Sequence, residues 1–176
     1  MTNRFRLVTR VALGLCLCFG YAAFTQMQSP GSIDTNKESK VNRHASGSFE
    51  IKMVRQPITD EEAKTISVRM TSDKQFHGDL EGTSTGEMLG VYTAVKDSGG
   101  YVAMERVSGK LKGRTGTFIL QHSSTMARGT QQQSIIVVPD SGTDQLVGLA
   151  GSMIIKITDG KHFYEFDYTL PDKDSN

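Results

Sequence analysis

The chain has 176 residues, 20 basic and 19 acidic, for a formal net charge of +1. That balance offers no electrostatic footprint for nucleic acid or for an anionic membrane surface. Hydrophobic residues at 37 % and charged residues at 22 % describe an ordinary soluble domain, while 18 glycines, four prolines and no tryptophan point to tight turns and sheet bends rather than long helices.

At the N-terminus, Arg4, Arg6 and Arg10 precede an apolar run from Val11 to Phe24. The run is shorter than the ~18 residues read as a membrane-spanning helix, and a basic stretch before a short apolar one is the signal-peptide pattern. Residues 1–25 are expected to be a signal peptide, an uncleaved anchor, or an apolar leader without a role. Gly20-Tyr21-Ala22 and Ala23-Phe24-Thr25 are the candidate cleavage sites. The protein is therefore expected to be exported, periplasmic or secreted, touching a membrane only through a retained leader. Both cysteines, Cys16 and Cys18, lie in this run behind Leu15 and Leu17, which do not suit a lipoprotein box. Removing the leader removes every thiol, and with it disulfides, thiol catalysis and thiolate metal sites. Residues 26–44 are expected to be a disordered tether, and 172–176 a frayed tail.

From residue 45 to 171 the pattern is strand, turn, strand. Ser48 to Val54 alternates in the β manner, and Thr59-Asp60-Glu61-Glu62 has capping-box spacing suited to one short helical turn. Further strands are expected over Ile66–Phe76, Glu87–Val95, Tyr101–Leu111, Thr117–Met126, Ser134–Val138, Leu146–Thr158 and His162–Leu170. Turn signals separate several of them: Asp97-Ser98-Gly99-Gly100, Pro139-Asp140-Ser141-Gly142 and Asp159-Gly160. Short neighbouring strands without helices between them imply an antiparallel meander, and eight strands can close into a barrel that has no exposed edge. The frame Gly-x-Leu-x-Gly occurs at Gly78–Gly82 and again at Gly109–Gly113, with a looser copy at Gly148–Gly151. Glycines inside strand patterns mark bends or close backbone approach.

Three segments carry a family resemblance: Lys74-Gln75-Phe76-His77-Gly78-Asp79-Leu80-Glu81-Gly82-Thr83-Ser84, Gly100-Tyr101-Val102-Ala103-Met104-Glu105-Arg106-Val107, and Asp159-Gly160-Lys161-His162-Phe163-Tyr164-Glu165-Phe166-Asp167-Tyr168. Over about Ala45 to Pro171 the chain resembles the bacterial family called domain of unknown function 3224. The resemblance implies a closed eight-stranded antiparallel barrel of the allene oxide cyclase-like type, and it implies no activity. Family members mostly lack a leader, so the export segment is a departure.

Turn positions predict which side chains face inward. A two-residue turn at Asp159-Gly160 sets Ile157 opposite His162, Ile155 opposite Tyr164 and Met153 opposite Phe166. That face, with Tyr168, should point to the interior. The other face carries Lys156, Phe163, Glu165 and Asp167 and should stay wet, with Lys156 and Glu165 as diagonal partners. Around Gly113–Gly116, a loop of two or four residues puts Tyr101, Ala103, Glu105 and Val107 on one face with Phe118, Leu120, His122 and Met126. The shorter loop sets Glu105 directly across from His122, and the longer one offsets them by a pair.

The candidate site is this interior: Glu105 and His122, with Tyr101, His162, Tyr164 and Tyr168 as its lining. A carboxylate beside an imidazole inside a barrel can move a proton, because burial and mutual charge shift both groups; the same pair can serve only to hold strand register. Gly82-Thr83-Ser84-Thr85-Gly86 matches the serine-hydrolase pattern but lacks the strand-turn-helix context, and reads as a turn. His44, His77, His122 and His162 show no metal-ligand spacing, no nucleotide-binding loop is present, and Met88, Met104, Met126 and Met153 read as core filler. No cofactor is expected. Three roles follow: a barrel binding a small apolar molecule, a cyclase- or isomerase-type enzyme using Glu105 and His122, or a structural subunit that pairs with a second copy, hinted at by Phe163 and Ile154 on the outer face.

Overall fold

A computed structural model describes residues 41–171. The expected leader, the tether up to residue 40 and the tail lie outside the described residues. Eight strands follow in chain order: β1 (Val41–Gln56), β2 (Val68–Gly78), β3 (Leu80–Tyr92), β4 (Gly99–Leu111), β5 (Arg114–Ala127), β6 (Thr130–Val137), β7 (Ala150–Thr158) and β8 (Lys161–Leu170). Each is antiparallel to its neighbours in sequence, and β1 pairs with β8 to close the barrel.

β1 begins seven residues before the expected Ser48, and its first four residues, expected to belong to the disordered tether, pair with β8, Val41 to His44 opposite Leu170 back to Asp167. This stretch, without an apolar period, is recruited by the β8 edge rather than by its own pattern. The capping box at Thr59 forms as read. Thr59 N–H donates to Glu62 Oε2 at 2.7 Å, Glu62 N–H donates to Thr59 Oγ1 at 3.2 Å, and one 3-10 turn follows over Glu62–Lys64. β7 starts at Ala150 rather than Leu146. The preceding residues form a 3-10 turn over Asp144–Leu146, and buried Leu146 and Leu149 belong to the core.

Gly82 to Gly86 is not a turn but the middle of β3. The inward side of β3 reads Leu80, Gly82, Ser84, Gly86, and its small residues leave room for bulkier side chains opposite. A Cβ on Gly86 would come within 3.0 Å of Ser72 Oγ and of the Met104 carbonyl oxygen.

The Asp159-Gly160 hairpin has the expected register, Thr158 opposite Lys161 through Met153 opposite Phe166. Lys156 Nζ lies 3.5 Å from Glu165 on the outside. Three layers result along the axis. At the closed end, Phe76, Leu80, Leu111, Phe118, Phe166 and Leu170 pack without exposure above 1 %. Polar side chains occupy the middle. Towards the opposite end inward residues open to solvent: Met53, Met126 and Ile157 are 43 %, 40 % and 66 % exposed. This end is the mouth.

Candidate functional site

The turn that positions Glu105 and His122 is Lys112-Gly113, both residues at positive φ (43° and 82°), which is the geometry a two-residue hairpin demands and glycine supplies at little cost. It sets Leu111 opposite Arg114. Glu105 therefore faces Leu120 and His122 faces Ala103, so the two are diagonal by one pair even though the turn has two residues. Both point inward, at 3 % and 5 % exposure. His122 Nε2 lies 2.9 Å from Glu105 Oε2. The approach is short but poorly aligned, and Nε2 makes no hydrogen bond of good geometry.

Two residues complete the cluster that sequence reasoning did not name. Lys74 Nζ lies 2.6 Å from Glu105 Oε2, and Ser84 Oγ donates to Glu105 Oε1. Lys74 sits two residues from buried Phe76 on β2, so strand alternation sends it inward. Its ammonium lies 4.8 Å from the centre of the Phe49 ring and 5.7 Å from that of Phe76, positions in which a cation is attracted by ring faces. Burial alone would raise the Glu105 pKa. His122, Lys74 and Ser84 outweigh it and hold the carboxyl down at about 2. A group so anchored has no proton to donate at neutral pH and is a weak base, which favours the register-holding role over proton transfer.

The remaining expected lining residues separate. Tyr164 is buried, with its hydroxyl accepting from Leu80 N–H at 2.8 Å and donating to the His77 carbonyl at 3.3 Å. It pins the β2–β3 turn, and burial raises its pKa against the pull of the Leu80 bond. Tyr168 stacks on Phe166 at 5.2 Å in the same packed region, its pKa also raised by burial. His162 is half-buried, its ring 5.1 Å from Phe49. Tyr101 is the member of the set that lines the cavity at the mouth.

That cavity, about 510 Å³, lies in the mouth beside the β3–β4 connection. Val68, Met88, Val91, Val95, Tyr101 and Met126 give it apolar walls, Ser124 and Gln131 add neutral polar groups, and Lys96 and Asp97 also line it. Gln131 Nε2 donates to Ser124 Oγ at 3.2 Å. The volume falls within the range typical of small-molecule sites. Met88 and Met126, read from sequence as filler, therefore border open space. Among the described residues no group of three His, Cys, Asp or Glu side chains could hold a metal ion.

These features define a closed antiparallel barrel with a packed base, a buried ionic centre and an apolar mouth. The chain belongs to the family described as "Protein of unknown function (DUF3224)", which matches residues 45–168. A solved structure of a protein with unknown function from the same family, from Shewanella oneidensis MR-1, is 42 % identical, with 76 % of this chain and 99 % of that one covered and a TM-score of 0.68. No curated protein matches the chain.

Proposed function

We propose that the barrel is a non-catalytic binding module for a small, largely apolar molecule held in its mouth. The observation that carries this reading is the 510 Å³ cavity bounded by Val68, Met88, Tyr101 and Met126. Flexible methionines suit such a site because a thioether chain adapts to ligand shape. Glu105 and His122, with Lys74, form the rigid floor of the barrel's middle rather than reacting groups. A thermal-shift screen of uncharged hydrophobic compounds tests the idea. Binding raises the melting temperature of the wild type, and Met88→Trp, which fills the cavity, abolishes the rise; a screen in which no compound stabilises the protein contradicts it.

The barrel's likeness to allene oxide cyclase remains a proposal about shape and brings no activity with it. Export is proposed from the Arg4–Phe24 leader, and cell fractionation tests it: recovery of the protein solely with cytoplasmic markers would contradict export.

A second reading, as a subunit in a homo-oligomer, has one specific support. Leu89 and Val102 are cross-strand partners on the outer face, Met104 is two residues from Val102, and all three are at least 40 % exposed. Exposed apolar clusters of this kind mark contact surfaces. Light scattering that gives a monomer at high concentration would remove this reading.

A further inference from the structure

Three inward methionines stand on three consecutive strands at the mouth. The register places Met70 of β2 directly opposite Met88 of β3. It places Met53 of β1 opposite Ser72, two residues from Met70 and hence diagonal to it. Direct partners hold their Cβ atoms about 5 Å apart and diagonal ones about 7–8 Å, both within reach of long side chains. Inward side chains of a closed barrel also converge on the axis. Met53 is 43 % exposed, Met70 and Met88 are half-buried, and Met88 borders the cavity, so the group can be reached from solvent.

We propose that Met53, Met70 and Met88 form a binding site for a soft monovalent metal ion, Cu(I), with Ag(I) as its redox-inert analogue. Thioether sulfur is neutral, does not compete with protons for the metal, and favours Cu(I) over harder ions. Among the described residues no group of three His, Cys, Asp or Glu side chains stands as a rival site. The chain's two thiols, Cys16 and Cys18, lie outside the described residues.

The surrounding charge is mixed. Arg55 of β1 is the direct cross-strand partner of Met70 and shares its face, with its guanidinium exposed and donating to the Ser67 carbonyl at 3.0 Å. Glu105 lies beyond Ser72 and Gly86 in the same cross-strand row as Met53, with its charge answered by Lys74. Filler and ligand make opposite predictions here. Leucine replaces a filler methionine with little loss, but it cannot replace a donor sulfur.

The test uses the full chain carrying Cys16→Ser and Cys18→Ser, titrated with Ag(I) while methionine methyl resonances are followed. One equivalent of Ag(I) should shift the methyls of Met53, Met70 and Met88 and leave those of Met104 and Met153 in place. Competition with a Cu(I) chelator should give one ion per chain. Met70→Leu with Met88→Leu should weaken binding by at least roughly tenfold at an unchanged melting temperature, because only the thioether donors are lost. Met104→Leu, on the outer face, should not change it. Absence of Ag(I) uptake, or uptake that survives the double leucine variant, overturns the proposal.

Discussion

Lys74 Nζ lies 2.6 Å from Glu105 Oε2, with both side chains at 5 % exposure or less and the contact closed over by Phe49, Phe76 and Ser84. This ion pair ties β2 to β4 across β3, through the centre of the barrel. Opposite charges buried together support each other only while both are present. Removing one leaves the other without water or partner, whereas replacing both by apolar groups of similar size restores a neutral core.

Glu105→Leu should therefore destabilise the domain by about 3–5 kcal/mol, and the double variant Lys74→Met/Glu105→Leu should recover most or all of that loss. Urea unfolding of the wild type and the three variants provides the cycle. A double variant no more stable than the worse single would contradict the pairing.

The same pair predicts acid sensitivity. Burial raises the Glu105 pKa, and His122, Lys74 and Ser84 outweigh it and hold it at about 2, against 4.5 ordinarily. Because the folded value is the lower one, the stabilisation is complete above the ordinary value and is lost as pH falls from about 4.5 towards 2. It amounts to about 3 kcal/mol. Stability measured across that window should drop steeply in the wild type. In Lys74→Met/Glu105→Leu the slope should be shallower by roughly one proton; equal slopes would show that Glu105 titrates normally.

On the outer surface His44 lies between two carboxylates, Nδ1 2.7 Å from Asp167 and Nε2 2.9 Å from Glu165, joining β1 to β8. Asp167 is the main cause of a pKa raised above 6.5. For a raised group the contribution is fully present below the unfolded value near 6.5 and disappears as pH climbs through the folded value. An NMR titration of the His44 ring should show the raised midpoint, and Asp167→Asn should bring it down. A wild-type midpoint at or below 6.5 would refute the bridge.

Tyr164 supplies a prediction at the closed end. Its hydroxyl is the acceptor for the buried Leu80 N–H, so Tyr164→Phe leaves that donor unsatisfied at a cost of about 1–3 kcal/mol. Hydrogen exchange at Leu80 should accelerate in the variant. Unchanged protection there would mean that another acceptor takes over.

Much of this arrangement was legible in the residues. Asp159-Gly160 has a definite turn geometry, and once that turn is placed, alternation alone sends Tyr164 and Phe166 inward and Lys156 and Glu165 outward. The nearness of Glu105 to His122 followed from the same reasoning, one pair out because the turn falls at Lys112-Gly113. Lys74 escaped notice because a lysine belongs in water by default; only its spacing from Phe76 revealed its direction. Ser84 was hidden by flanking glycines, which locally favour a turn but here give the barrel interior its room. Facing inward also proved different from lining a cavity. Tyr164 and Tyr168 fall in the packed half of the tube, while Met88 and Ser124 fall where it widens, a distinction set by how all eight strands fill the axis together.

The binding role of the mouth is most directly tested by a backbone NMR titration with an uncharged hydrophobic compound that stabilises the protein. Amide shifts confined to the residues around Val68, Gly90, Tyr101 and Ser124, with Phe118 and Phe166 unmoved, are the predicted result. Shifts clustered instead on the outer face at Leu89, Val102 and Met104, or spread over the whole barrel, would contradict it.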